Sequence, residues 1–218
     1  MGRVLFYTFW APIVYTLSMT TRETVFMVDG KRFLYRQCGR DHVPLVLLFA
    51  HGSTQTLMDS ADVLRCGTLD WNDDLTPWPY QEFGGKGFDF ARTVKKALAQ
   101  IDTSVYDDVI CAGYSLGGLF SLYAPGLIPQ ITMAAAASPS VWYPGFAEYM
   151  KKNPPAHLKE VSLSVGRKER KAAACLEEIA GLFAVPCHYQ LEPGGHFHEP
   201  EARLARAIEQ LSWKDSNC

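Results

Sequence analysis

Val109-Ile110-Cys111-Ala112-Gly113-Tyr114-Ser115-Leu116-Gly117-Gly118 is the stretch on which the fold turns. Its apolar opening reads as a buried strand. A Gly-x-Ser-x-Gly turn follows at once, and residues 116–123 read as a short helix closed by Pro125 and Pro129. The glycines let the chain reverse sharply and let backbones approach closely. Outward from this unit the alternation of strand and helix repeats. Upstream, residues 24–28 and 32–36 read as two strands around Asp29-Gly30, a hairpin signal. Residues 45–50 read as a buried strand and residues 59–66 as a short helix. Residues 67–87, rich in Trp, Pro, Gly and Asp, read as a long excursion. Residues 88–101 form an amphipathic helical pattern, with Phe90, Val94, Ala97, Leu98 and Ile101 on one face. Downstream, strands at 131–137, 161–165 and 187–191 alternate with helices at 146–152, 171–183 and 200–211. The pattern predicts an α/β fold: a mostly parallel central sheet, helices on both faces, and a ligand site at the carboxyl ends of the strands.

The chain has 218 residues and a formal net charge of −2, which excludes a generally basic nucleic-acid binder. With 48% hydrophobic and 20% charged residues it has the composition of a globular domain. Residues 21–218 are expected to form a single domain, preceded by an apolar extension over residues 1–20. Within that extension residues 4–19 carry no charge and follow Arg3, like a signal segment. They are short for a membrane span and Pro12 interrupts them, so a packed extension of a cytoplasmic protein is the reading preferred, with export the alternative. No stable membrane partner is expected. The six cysteines include no C-x-x-C pair, and free thiols in a reducing compartment are expected.

Ser115 would leave its turn with the hydroxyl exposed at a helix N-terminus, where the N–H of Leu116 can meet a developing oxyanion. A serine hydroxyl is a poor nucleophile until a base takes its proton. In this strand–turn–helix setting the base comes last, on the loop after the final strand, and Glu192-Pro193-Gly194-Gly195-His196 offers His196 there. His198 is the rival, but the paired glycines give His196 the more closely approaching backbone. An acid should follow the preceding strand. In Gly166-Arg167-Lys168-Glu169-Arg170-Lys171 the one acid is Glu169, within a basic stretch that a solvated helix start would also explain. The loop His51-Gly52-Ser53-Thr54 after the strand at 45–50 should give a second oxyanion donor, the N–H of Ser53. His51, Trp71, Trp78, Tyr114, Trp142 and Tyr143 are candidates for a substrate pocket; large aromatics at strand ends equally often cap a core.

Taken together these segments resemble the serine hydrolases of the α/β-hydrolase superfamily, in the esterase branch related to esterase D and the siderophore esterases. The likeness runs over roughly residues 21–213. It rests on HGS at His51, GYSLGG at Gly113, SPSVWYPGF at Ser138, LSVGRKERK at Leu163 and EPGGHFHEP at Glu192. WNDDLTPWP at Trp71 resembles a signature of a bacterial subset. Such proteins often read Gly-Asp-x-Glu after the penultimate strand. Here Arg167 takes the Asp place, leaving Glu169 as the acid. The resemblance implies the α/β-hydrolase fold and hydrolysis of a small-molecule carboxylic ester through an acyl-enzyme, with no cofactor and no metal.

Three other readings fit parts of the sequence. A metal-dependent hydrolase would use His51, His196, His198, Glu199 and an Asp, though no third ligand has a convincing spacing. A non-catalytic binding relative would place no joint demand on Ser115, His196 and Glu169. An acyltransferase would use the same site with another acceptor.

Overall fold

The computed structural model describes residues 21–51 and 60–212. Its strands are β1 (Arg22–Val28), β2 (Lys31–Gln37), β3 (Leu45–Phe49), β4 (Asp62–Cys66), β5 (Val109–Tyr114), β6 (Met133–Ala137), β7 (Glu160–Gly166) and β8 (Cys187–Glu192). Its helices are α1 (Trp71–Asp74), α2 (Gly87–Leu98), α3 (Leu116–Tyr123), α4 (Phe146–Lys152), α5 (Arg170–Ala180) and α6 (Pro200–Glu209). The strands lie in one sheet in the order β1-β2-β4-β3-β5-β6-β7-β8. The β1–β2 hairpin turns at Asp29-Gly30 and joins β4 antiparallel, while every pair from β4 through β3 to β8 is parallel.

Sequence and structure part company at β4. Residues 59–66 were expected to be helical, yet Asp62–Cys66 is a strand, and Asp59 lies outside the described residues. A short apolar run carries no decisive period. Here its neighbours decide it: Leu45, Val46 and Leu47 pair with Asp62, Val63 and Leu64 on one side, and Phe33 to Arg36 pair with Cys66 to Val63 on the other. The excursion that follows contains α1, capped by Asp70, whose side chain accepts from the N–H of Asp73 (3.0 Å).

Strand side chains alternate between two cores. Leu45, Leu47 and Phe49 of β3, Cys111 of β5 and Ala134 and Ala136 of β6 face the layer of α2, α3, α4 and α5. Val46, Leu48, Ile110, Ala112, Met133, Ala135 and Ala137 face the other layer, where α6 presents Leu204, Ala207 and Ile208. The central parallel strands β3, β5 and β6 are buried on both faces, which is why they read as continuous apolar runs. Their carboxyl ends at Phe49, Tyr114, Ala137, Gly166 and Glu192 lie along one edge of the sheet and feed the loops of the candidate site. Residues 1–20 and Ser53 lie outside the described residues. Among the described residues no helix is long and apolar enough to cross a membrane.

Candidate active site

Ser115 sits between β5 and α3 with φ 57° and ψ −118°, a left-handed conformation unusual for a residue with a Cβ. Such strain costs about 1–3 kcal/mol and persists only where the surroundings over-determine it. They do so here. A Cβ at Gly113 would lie 2.2 Å from the Gly117 carbonyl, and one at Gly117 would lie 1.9 Å from the Phe49 carbonyl oxygen. The Ser115 N–H donates to Ala137 O (3.2 Å), and its carbonyl accepts from Leu119 N (2.9 Å) and Ser140 N (3.0 Å). The hydroxyl is thereby held out at the N-terminus of α3. First-turn N–H groups have no acceptor within their helix, so that of Leu116 is available to a bound oxyanion.

His196 reaches Ser115 from the far end of the chain. Its Nε2 lies 3.0 Å from Ser115 Oγ, and its Nδ1 lies 2.7 Å from Glu169 Oε2. With Nδ1–H donating to the carboxylate, Nε2 is left as the acceptor facing the hydroxyl. The two loops that bring these groups in are bound to each other. Beyond the last β7–β8 pair, Gly166 with Glu192, Arg167 N donates to Glu192 O (2.9 Å) and Lys168 N to Gly194 O (3.0 Å). A Cβ at Gly166 would meet both Glu169 Oε1 and Gly194 O at 2.7 Å. Burial alone would raise the Glu169 carboxyl. Hydrogen bonds from His196, Ser138 and the Gly166 N–H outweigh it and hold the group down at about 2, so it is an anion at neutral pH.

The sequence reading missed Arg203. It lies on the buried face of α6, next to Leu204 and one turn before Ala207, and its side chain is fully buried. Its Nη1 donates to Glu169 Oε1 (2.9 Å) and to the Ser138 hydroxyl, and its Nη2 donates to Pro193 O (2.9 Å) and Gly195 O (3.3 Å). One guanidinium thus fastens the acid to the Pro193–Gly195 segment that leads into His196. The available signal was a cation at an apolar-stripe position of a helix, easily read as the edge of the stripe. Ser138 was missed too. It donates to Glu169 Oε1 (2.8 Å) from a backbone at φ 42°. Tyr114 donates its phenol to the His196 carbonyl, so it positions the histidine as well as lining the site.

The pocket candidates divide. A cavity of about 310 Å³ beside Ser115 is lined by Ala50, His51, Trp71, Tyr114, Phe197 and Pro200, with the His51 and Trp71 rings in tilted contact, their centroids 3.9 Å apart. On the other side of Ser115 an open cleft of about 560 Å³ includes Trp142 and Ser140, whose hydroxyl is 3.3 Å from Ser115 Oγ. Trp78 and Tyr143 line neither. They pack together at 6.0 Å, Tyr143 is buried and donates to Trp78 O (2.6 Å), and the Trp78 indole donates to Pro144 O (3.0 Å), so both cap the core. Both His196 nitrogens are engaged, and the His198 N–H donates to Gly195 O. Among the described residues no three His, Cys, Asp or Glu side chains stand close enough to share a metal ion.

No protein-family model and no curated sequence matches the chain. Solved structures do resemble it. The enterobactin esterase FES of Shigella flexneri superposes with a TM-score of 0.68 at 16% identity, 92% of this chain against 61% of that one. The chain therefore spans less than two thirds of that protein. An esterase of Pyrococcus furiosus gives a TM-score of 0.60 at 12% identity over 96% and 98% of the two chains. A Paenibacillus acetyl xylan esterase gives 0.57 at 14% over 91% and 86%. The chain has the α/β-hydrolase fold.

Proposed function

We propose that the protein is a serine hydrolase that cleaves carboxylic esters through an acyl-enzyme. The observation that carries this reading is the unbroken relay from Glu169 through His196 to Ser115, at 2.7 and 3.0 Å. That three of the proteins sharing its fold are esterases supports it. In the reaction Ser115 Oγ attacks the ester carbonyl as His196 Nε2 takes its proton. Glu169 holds the imidazole in the required tautomer and stabilises the imidazolium. The amides of Leu116 and Ser53 take the negative charge of the tetrahedral intermediate, each donor worth about 2.7–4 kcal/mol. His196 then protonates the departing alcohol, and water attacks the acyl-serine by the same route in reverse. The apolar cavity beside Ser115 accepts one half of the substrate.

Purified protein mixed with p-nitrophenyl acetate and butyrate should release p-nitrophenolate in a burst stoichiometric with enzyme, followed by slower turnover insensitive to EDTA. No release from any short-chain ester would contradict the proposal, and abolition by EDTA would select the metal reading.

A further inference from the structure

Ser115 separates two unlike surfaces. The cavity on one side is largely apolar and aromatic, with Glu201 as the acid on its lining, whereas the cleft on the other is lined by Lys168, Arg170 and Lys171 together with Trp142 and Ser140. These cations differ from many others of the chain. Lys86, Lys96, Lys151 and Lys159 each hold a carboxylate within 3 Å. Among the described residues none pairs with Lys168, Arg170 or Lys171, and the one acid in their midst, Glu169, is committed to His196 and Arg203. A general excess of positive charge does not account for them, because the chain has a net charge of −2. Helix stability does not account for them either. Arg170 and Lys171 occupy the first turn of α5, which has no acidic residue, and cations there oppose the helix dipole.

We infer that this cleft receives an anionic group, and that the ester the protein is built for carries a carboxylate, sulfonate or phosphate on the half lying over Lys168, Arg170 and Lys171. The less polar half then fills the cavity at His51, Trp71 and Tyr114. This substrate class rests on the ester-hydrolase reading above. A cleft lined by one sign of charge raises the local concentration of an oppositely charged substrate and speeds its capture.

Two matched pairs test it and locate the charge: p-nitrophenyl hemiglutarate against p-nitrophenyl butyrate for the acyl half, and 4-acetoxybenzoate against its methyl ester for the alcohol half. In one pair kcat/KM should favour the anion by about tenfold or more at low salt, an advantage that shrinks as ionic strength approaches about 1 M. In the double variant Lys168→Glu/Lys171→Glu the anion-to-neutral ratio should fall at least tenfold. Because the readout is a ratio, a partly misfolded variant does not imitate the effect, and the salt dependence of the wild type needs no variant. A ratio near one in both pairs overturns the inference while leaving ester hydrolysis intact. So does a preference that neither salt nor charge reversal changes. If no ester in either pair is hydrolysed, the enzymatic reading itself fails and the inference falls with it.

Discussion

Replacing Ser115 by Ala should lower kcat for ester hydrolysis at least about a thousandfold while the protein melts within a few degrees of wild type. The size of the loss follows from the proposed role, in which no acyl-enzyme forms without the hydroxyl and only binding and the oxyanion donors remain. The small thermal effect follows from the structure. Among the described residues Ser115 Oγ hydrogen-bonds to the His196 and Ser140 side chains alone, and the backbone bonds that hold the bend do not involve it. His196→Ala should fall nearly as far. Glu169→Gln should fall less, because the imidazole still faces Ser115 and loses only its orienting partner. Steady-state kinetics with p-nitrophenyl butyrate checks all three, and a Ser115→Ala protein as active as wild type would remove the serine mechanism.

Arg203→Met should be the most destabilising change in the site. The guanidinium is fully buried, and removing it leaves Glu169 Oε1 without its ion pair and the Pro193 and Gly195 carbonyls without those donors. Breaking a buried ion pair on one side costs about 3–5 kcal/mol. In a chain of this size that lowers Tm by roughly 10 °C. Turnover should drop with it, because the same bonds fix the loop that carries His196. Arg203→Lys should recover part of the stability through the charge on Glu169, but less of the turnover, since a single ammonium cannot span the carboxylate and both carbonyls. Thermal melts alongside kcat would decide it. An Arg203→Met protein with unchanged Tm and unchanged kcat would show that the guanidinium holds nothing in place.

Much of this was legible in the residues themselves, for physical reasons that differ from element to element. Parallel strands buried on both faces give apolar runs, so β3, β5 and β6 could be read almost to their ends, whereas β7 (EVSLSVG) and the partly exposed edge strand β8 (CHYQLE) showed an alternating pattern. Chain order then put Ser115, Glu169 and His196 on three loops at one edge of the sheet. β4 was misread because five residues carry no reliable period, and only its partners β2 and β3 make it a strand. Trp78 and Tyr143 were indistinguishable from pocket residues, since composition does not say which way a ring faces. Arg203 was invisible for the opposite reason: a cation beside an apolar stripe is normally at the surface, and only the loops packed over α6 bury it. The basic run at residues 167–171 was plain in the sequence, but its position on the cleft beside Ser115 depends on the loop pairing with residues 192–194.

The central claim, that the Ser115 hydroxyl is the nucleophile activated by His196, is tested most directly by covalent labelling. The protein is treated with a fluorophosphonate, its intact mass and residual esterase activity are followed together, and the modified peptide is sequenced. One adduct per chain should form on Ser115 in step with loss of activity, slow sharply in His196→Ala, and be absent from Ser115→Ala. Full esterase activity with Ser115 unlabelled, or inactivation by an adduct on another residue, would contradict the account.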